Sequence, residues 1–298
     1  MRGFFIGSII SVCLLELRIY RFYAVSTNME QKIHAYTQMQ LVFHPHQVAA
    51  IEKGAIITDT MPVGSGEAVA ISFDTIASTR IDHPEFKHAL EQVMSRSHGE
   101  MMAGYSMSPL ESSAFLAKNM GDGFFASVGF PFAVPRGRPK EEVALELAEK
   151  FAAIFCEEMG RLNYREPIRC AIGLAAGTVE GYFPTTGVKA YDLRDGVHEK
   201  TLALAKRHES LIRIVRKFDS SVMDQSMVML QEKVWLALPE ISREKFQAWN
   251  AEEPGQQIRD SDAKRAYYKI LPAAGAAALP TEQDQLTEQP NLNFSKVA

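Results

Sequence analysis

Residues 69–79, VAISFDTIAST, decide the fold of this chain. Apolar and small side chains fill residues 68–73, which predicts a buried strand, and Asp74 follows that strand directly. Small and hydroxyl-bearing residues come next, before a helix predicted over residues 84–97 with Pro84 in its first turn. A carboxylate at a strand end, beside the backbone N–H groups of a tight turn, can hold a divalent cation and a phosphate together.

A second acidic residue, Asp122, lies in the tripeptide GDG at residues 121–123, between the short apolar runs 114–117 and 124–128. This pattern predicts a hairpin with Asp122 at its tip. Each acid has an ordinary structural explanation, since Asp74 can cap the next helix and Asp-Gly is a favoured hairpin turn. Together they would place paired carboxylates on neighbouring strand ends, an arrangement that suits two Mg²⁺ ions on a nucleoside triphosphate.

The rest of the chain alternates helical and strand patterns. Apolar residues recur every three or four positions over residues 141–162, which predicts a long amphipathic helix. A helix rich in Lys and Arg is predicted over residues 197–215, and short strands are predicted at residues 168–174, 181–183, 226–230 and 267–271. This order predicts an α+β fold, a ferredoxin-like β-α-β-β-α-β core with helices packed on a mixed or antiparallel sheet.

Both ends of the chain differ from its middle. Residues 1–25 form an apolar N-terminal segment, but its apolar run at residues 4–15 is shorter than the roughly 20 residues of a membrane-spanning helix. Two hypotheses remain for it: the end of a longer membrane helix followed by cytoplasmic arginines, or an amphipathic helix that packs on a partner. We expect a linker over residues 26–64, the main domain over residues 65–271 and a disordered tail over residues 272–298.

Composition excludes several classes of protein. With 32 Lys and Arg against 36 Asp and Glu, the net charge is -4, so the chain lacks the basic footprint of a nucleic-acid-binding protein. Its three cysteines, Cys13, Cys156 and Cys170, are too few and too scattered for a disulfide framework or a zinc site. They indicate a reducing compartment, and we expect no nucleic-acid partner.

The acidic motifs resemble those of the class III nucleotide cyclases in order and spacing. Residues 73–80, FDTIASTR, resemble the first metal motif of that family, and residues 118–129, KNMGDGFFASVG, resemble its second metal hairpin. Residues 168–177 resemble the Gly-containing strand that follows, and residues 205–207 the end of the helix that contacts ribose and transition state. The resemblance covers roughly residues 65–271, so this segment is expected to be a cyclase catalytic domain.

This family converts a nucleoside triphosphate into a 3′,5′-cyclic nucleotide and pyrophosphate, by in-line attack of the ribose 3′-OH on the α-phosphate. The resemblance implies two Mg²⁺ or Mn²⁺ ions per site, held by the carboxylates of Asp74 and Asp122. It implies further contacts from the loop after Asp74: Thr75 and Ile76 for the metals, Ser78 and Thr79 for the phosphates.

Lys118 stands where the family places its base-contacting Lys. Because adenine N1 accepts a hydrogen bond, a Lys donor favours ATP over GTP, whose N1–H is itself a donor. Cytosine N3 also accepts, so a pyrimidine nucleotide stays open as a substrate. The resemblance implies that Asp192 or Asp195 contacts the amino group of the base. From the residues alone, a solvated strand lysine explains Lys118 as well.

Arg207 corresponds to the transition-state Arg of the family, and a salt-bridged helix residue is its ordinary structural explanation. The stretch before it is longer than the family pattern, and no Asn is in register for the ribose. Two functional hypotheses therefore stay open. One is an adenylate cyclase, and the other is a weak or inactive cyclase-fold module for nucleotide binding and dimerisation in signalling.

The family builds each active site between two subunits. The resemblance therefore implies an isologous homodimer in which the metal carboxylates come from one subunit and Lys118 and Arg207 from the other. It also implies a cytoplasmic catalytic domain, attached to the inner face of a membrane or docked to a sensor partner through the N-terminal segment.

Overall fold

The computed structural model of the protein describes residues 29, 32–39, 42–187, 190–250 and 265–271. The chain divides into two compact units, Met1–Pro62 and Val63–Ala298. The expectations for residues 1–25 and 272–298 concern residues outside the described part. Of the helices in the described part, none is long and apolar enough to span a membrane.

In the first unit, residues 32–39 are helical and helix α1 spans Pro45–Glu52. Pro45 lies in the first turn, where its missing N–H leaves no helical bond unmade. The buried side chain of Gln47 donates a hydrogen bond to Thr60 Oγ1 at 3.0 Å. Thr60 Oγ1 in turn donates to the carbonyl of Ile57 at 2.6 Å, so this network ties α1 to the end of its own unit.

The second unit is built on a mixed sheet. The strands are β1 (Gly64–Thr75), β2 (Ser106–Met107), β3 (Leu110–Glu111), β4 (Phe115–Asn119), β5 (Gly123–Val128), β6 (Cys170–Tyr182), β7 (Asp192–Asp195), β8 (Ser226–Gln231), β9 (Gln247–Asn250) and β10 (Arg265–Leu271). The strand order in the sheet is β4-β5-β1-β6-β8-β10-β9, and β7 also pairs with β6. All pairs are antiparallel except β6 and β8, which run parallel. Strands β2 and β3 form a separate two-stranded ribbon.

The helices of this unit lie on both faces of the sheet. They are α2 (Phe86–Met101), α3 (Lys140–Gly160), α4 (Thr201–Phe218), α5 (Glu232–Ala237) and α6 (Glu240–Arg243). Short 3₁₀ turns occur at Ser78–Arg80, Pro135–Gly137 and Ser220–Val222 in this unit, and one at Ile57–Asp59 in the first unit. The sequence β1, α2, β4, β5, α3, β6 is the predicted β-α-β-β-α-β order, so the expected α+β class is confirmed.

The alternation of side chains along β1 separates the two faces. Val69, Ile71 and Phe73 enter the large core together with apolar residues of α2 and α3. Ala70 instead packs with Ala205 of α4 on the opposite face. Because successive strand residues point to opposite faces, Asp74 lies on the α4 side of the sheet. The sheet is thus the middle of three layers.

Two sequence-based predictions of secondary structure are wrong. The separate strands predicted at residues 168–174 and 181–183 are one strand, because β6 runs from Cys170 to Tyr182. Residues 175–178, AAGT, suggest a break since they lack large side chains, but β1 pairs with β6 along its whole length and keeps them in the ladder. The basic helix predicted from residue 197 begins at Thr201, because the preceding chain first forms β7.

Helix α4 lies very close to the sheet at Gly173 of β6. A Cβ atom on Gly173 would lie 2.1 Å from the carbonyl oxygen of Ala205 and 2.3 Å from the backbone nitrogen of Glu209. Any larger side chain there would push the helix away from the strand. The glycine therefore sets the depth at which α4 packs.

We predict that Gly173→Ala lowers the free energy of unfolding by about 3 kcal/mol, because the added methyl group meets helix backbone. Gly99→Ala is the matched control, since Gly99 is an exposed α2 residue whose Cβ would contact nothing within 4 Å. The control should raise stability by about 0.5–1 kcal/mol, as a helical Gly→Ala change does. Urea denaturation of both variants measures the difference, and equal effects would contradict the proposed close packing.

Candidate active site

The two acidic motifs are joined by backbone and side-chain hydrogen bonds. Asp74 is opposite Gly123 in the β1–β5 register. The N–H of Thr75 donates to the Asp122 carbonyl at 3.1 Å, and the Thr75 hydroxyl donates to the same oxygen at 2.8 Å. The Ser78 hydroxyl donates to Asp122 Oδ2. The structure thus brings Asp74 and Asp122 to one end of the sheet, as the sequence pattern indicates.

Two glycines allow the hairpin to carry Asp122 at this place. Gly121 has φ +91°, a left-handed conformation that favours glycine, and its N–H donates to Asn119 Oδ1 at 2.9 Å. Gly123 already belongs to β5, and a Cβ there would lie 2.2 Å from the Phe73 carbonyl oxygen. In the predicted Asp-Gly turn, Gly121 therefore adopts the left-handed backbone angle. Gly123 allows β5 to lie close to the backbone of β1 at Phe73.

The loop after Asp74 is more fully bonded than the sequence suggests. The Thr75 N–H is bonded to Asp122, and the Ile76 N–H donates to the Arg169 carbonyl at 2.8 Å. These two N–H groups are therefore not available to a phosphate. Ser78 is half-buried against Asp122, whereas Thr79 is exposed.

Helix α4 places two cations on Asp74, a contact that sequence reasoning missed. The Nζ of Lys206 lies 2.9 Å from Asp74 Oδ2, and Nη2 of Arg213 lies 3.0 Å from the same oxygen. Lys206 also forms an ion pair with Glu209, whose side chain is fully buried. The spacing 206, 209 and 213 places these three side chains on one helix face, and this is the sequence signal that could have grouped them.

Burial and ion pairing act in opposite directions in this cluster. Desolvation raises the pKa of Glu209, and Lys206 opposes that rise. For Lys206, burial lowers the pKa, but the hydrogen bonds to Glu209 and Asp74 outweigh burial and leave the pKa raised. Lys206 therefore lies between two carboxylates, and Arg213 is a second cation on Asp74.

The donor set suits a divalent cation of the Mg²⁺ type. Carboxylate oxygens are the ligands of Mg²⁺ and Mn²⁺, and Mg²⁺ is commonly held by one or two protein carboxylates together with substrate phosphates. The described residues contain no group of three or more His, Cys, Asp or Glu side chains that could hold a metal alone. Asp122 forms no ion pair with any described residue, so of the two carboxylates only Asp74 is neutralised by the chain itself.

Arg207 lies in a cavity of about 440 Å³ at the N-terminal end of α4. Lys200, Lys233, Glu199 and His198 also line it. The Nε atom of Arg207 is buried and has no hydrogen-bond partner among the described residues. Glu199 accepts the Thr178 N–H at 2.5 Å, and this bond lowers the pKa of Glu199 despite partial desolvation. The cavity is therefore polar, mainly basic, and has one donor without a partner.

The predicted base-contacting residues lie in different surroundings. Lys118 is exposed on β4 and forms no ion pair within the described part of the chain. Asp192 is half-buried, accepts the Leu193 N–H at 2.8 Å, and takes a hydrogen bond from the Tyr182 hydroxyl at 3.3 Å.

Asp195 is engaged in capping α4. Its Oδ1 accepts the N–H of Leu202 at 2.6 Å and the N–H of Ala203 at 3.4 Å. These are first-turn donors that have no partner within the helix. Asp195 accepts both bonds through Oδ1, whereas Asp192 uses one bond on each carboxylate oxygen, so both residues stay candidates for the base amino group.

No family model matches the chain, and no curated protein sequence matches it. Among solved structures, a bacterial light-regulated adenylyl cyclase is similar with a TM-score of 0.56 and 12% identity, over 85% of this chain and 65% of that one. The guanylyl cyclase Cya2 is similar with a TM-score of 0.50 and 11% identity, over 73% of this chain and 98% of that one. At these identities the likeness concerns the fold, which is that of class III cyclase catalytic domains, as the sequence resemblance implied.

We predict that Asp195→Ala lowers the free energy of unfolding by about 1 kcal/mol, because two N–H groups of α4 lose their acceptor. Asp195→Asn should keep most of the stability, since its side-chain oxygen still accepts these bonds. Denaturant unfolding of both variants measures the difference. If Asp195→Ala is as stable as the wild type, Asp195 does not cap α4.

Proposed function

We propose that this protein is a nucleotide cyclase that converts ATP to 3′,5′-cyclic AMP and pyrophosphate at the interface of a homodimer. The observation that carries the proposal is that strand pairing and hydrogen bonds bring the Asp74 and Asp122 motifs together at one end of the sheet, in a fold similar to that of cyclases. The two carboxylates would hold two Mg²⁺ or Mn²⁺ ions. When bound, such ions lower the pKa of the ribose 3′-OH and neutralise triphosphate charge.

The other roles belong to side chains of this chain. Arg207, with its buried and unpartnered Nε, would stabilise the charge that grows on the phosphates in the transition state. Lys200 and Lys233 line the same cavity and would add attraction for a polyphosphate. Lys118 would donate to adenine N1, and Asp192 or Asp195 would accept from the adenine amino group.

The direction of α4 side chains supports a site shared by two subunits. Consecutive residues on a helix differ by about 100° in direction. Lys206 contacts Asp74 of its own chain, whereas Arg207 lies in the separate cavity. Arg207 would therefore serve the carboxylates of a second copy, and an isologous dimer would contain two such sites. The unit Met1–Pro62 would connect this dimer to a sensor or membrane partner at the cytoplasmic face.

A second candidate function is an inactive cyclase-fold module that binds nucleotides and dimerises. The observation that favours it is the pair of cations on Asp74, which compete with any metal at that carboxylate. The two candidates differ in one result. A cyclase forms a cyclic product, while the module binds ATP and releases it unchanged.

We predict that the purified protein with Mg²⁺ or Mn²⁺ forms cyclic AMP when incubated with ATP, and forms less product from GTP, CTP or UTP. Asp74→Asn and Asp122→Asn should each lower the rate at least about 100-fold, because each loses metal charge that stabilises the transition state. Asp82→Asn, an exposed acid beyond the same loop, is the control and should keep the wild-type rate.

Mass spectrometry identifies the product of each reaction. Circular dichroism verifies that each variant is folded. A near-normal rate in Asp74→Asn or Asp122→Asn would overturn the metal assignment. ATP binding without any cyclic product in the wild type would favour the inactive module.

We predict that Lys118→Ala and Asp74→Asn, each inactive alone, recover activity when co-expressed. A mixed dimer has one site with both lesions and one site with neither. Random pairing makes about half of the dimers mixed, so roughly a quarter of wild-type activity should return by this symmetry count. Differently tagged chains allow the mixed dimers to be isolated, and inactive mixed dimers would show that the two residues act in the same site.

A further inference from the structure

The carboxylate of Asp74 has both of its cationic partners within its own chain. Lys206 and Arg213 approach the same oxygen, Oδ2, at 2.9 and 3.0 Å. The side chain of Asp74 is 10% exposed, whereas those of Lys206 and Arg213 are 38% and 53% exposed. The acid is thus fixed at a strand end, and its partners reach it from a helix with their charged ends near solvent.

These contacts conflict with a metal ion on the same carboxylate. The two hydrogen bonds occupy the lone pairs of Oδ2, so a metal that binds this oxygen must displace one of them. A divalent cation next to Asp74 would also lie within a few ångströms of two positive side chains, at a range where like charges repel strongly. Asp122 presents no such conflict, because its carboxylate accepts from the neutral Ser78 hydroxyl.

The two cations are not equally easy to move. Lys206 also pairs with Glu209, which is fully buried, so its departure would leave that acid without its partner. No described acid other than Asp74 pairs with Arg213. The helix itself is held by its close contact at Gly173 and by the Asp195 cap. A rearrangement at this site would therefore involve side chains, and Arg213 first.

We propose that Lys206 and Arg213 are competing counter-ions that occupy Asp74 in the metal-free protein, and that a divalent cation binds Asp74 by displacing Arg213. This inference rests on the metal role assigned to Asp74 in the proposed function. It makes the affinity for metal a property of α4 as well as of the carboxylates. Removing the Arg213 charge should strengthen metal binding without any change in the metal ligands.

The test is a titration of the purified full chain with Mn²⁺ in the absence of nucleotide. Electron paramagnetic resonance measures the concentration of the free ion, and therefore how much Mn²⁺ is bound. Arg213→Gln should bind Mn²⁺ about five- to tenfold more tightly than the wild type, since one repelling charge near the metal is lost. Arg194→Gln is the matched control, because Arg194 is an equally exposed arginine that pairs with Glu180 instead. Its affinity should equal that of the wild type, and Arg213→Gln binding no more tightly than this control overturns the inference.

A second variant tests the lysine without leaving a buried charge unpaired. Lys206→Met combined with Glu209→Gln removes one charge of each sign and should also tighten Mn²⁺ binding at Asp74. Thermal unfolding verifies that the double variant is folded. If it is unfolded, Arg213→Gln alone decides the inference.

Asp74→Asn, made in the wild type and in Arg213→Gln, separates this inference from the proposed function. If Asp74→Asn leaves Mn²⁺ binding unchanged in both backgrounds, Asp74 is not a metal ligand and the proposed function loses its metal site. If Asp74→Asn abolishes the binding but Arg213→Gln and the double variant bind like the wild type, only the counter-ion inference fails.

Discussion

The packing of α4 against β6 at Gly173 sets the position of the charged α4 side chains around Asp74. Because Gly173 has no side chain, the helix backbone at Ala205 and Glu209 comes within contact distance of the strand. This depth buries Glu209 completely and places the ends of Lys206 and Arg213 on the neighbouring strand end. A shallower helix would leave Glu209 hydrated and the carboxylate of Asp74 open.

The charges that result are balanced within the cluster. A buried carboxylate is costly unless it is paired, and each acid here has at least one cationic partner. A divalent cation beside Asp74 would add positive charge next to Lys206 and Arg213, so the arrangement of these side chains affects metal binding.

The two acidic motifs are held together by a different kind of interaction. Strands β1 and β5 pair in antiparallel register, and Thr75 donates two hydrogen bonds to the Asp122 carbonyl. These interactions involve mainly backbone atoms. They do not depend on the charge of either carboxylate. The fold therefore brings both acids to one end of the sheet without any contribution from their charges.

Local pattern alone predicted much of this arrangement. The apolar run before Asp74 indicated a buried strand, and the glycines around Asp122 indicated a hairpin, because burial and turn geometry depend on neighbouring residues. The apolar residues that recur every three or four positions likewise predicted the long helix α3. Together these elements predicted the β-α-β-β-α-β order and the meeting of the two acidic motifs.

Tertiary contacts decided the rest. The small residues inside β6 look like a break until β1 pairs with them along their whole length. Asp195 becomes a helix cap only because β7 ends beside the first turn of α4. Lys206 and Arg213 reach an acid 132 and 139 positions earlier in the chain, and no local spacing can indicate that. The partner of a charged side chain is set by which surfaces pack together, and packing is a property of the whole fold.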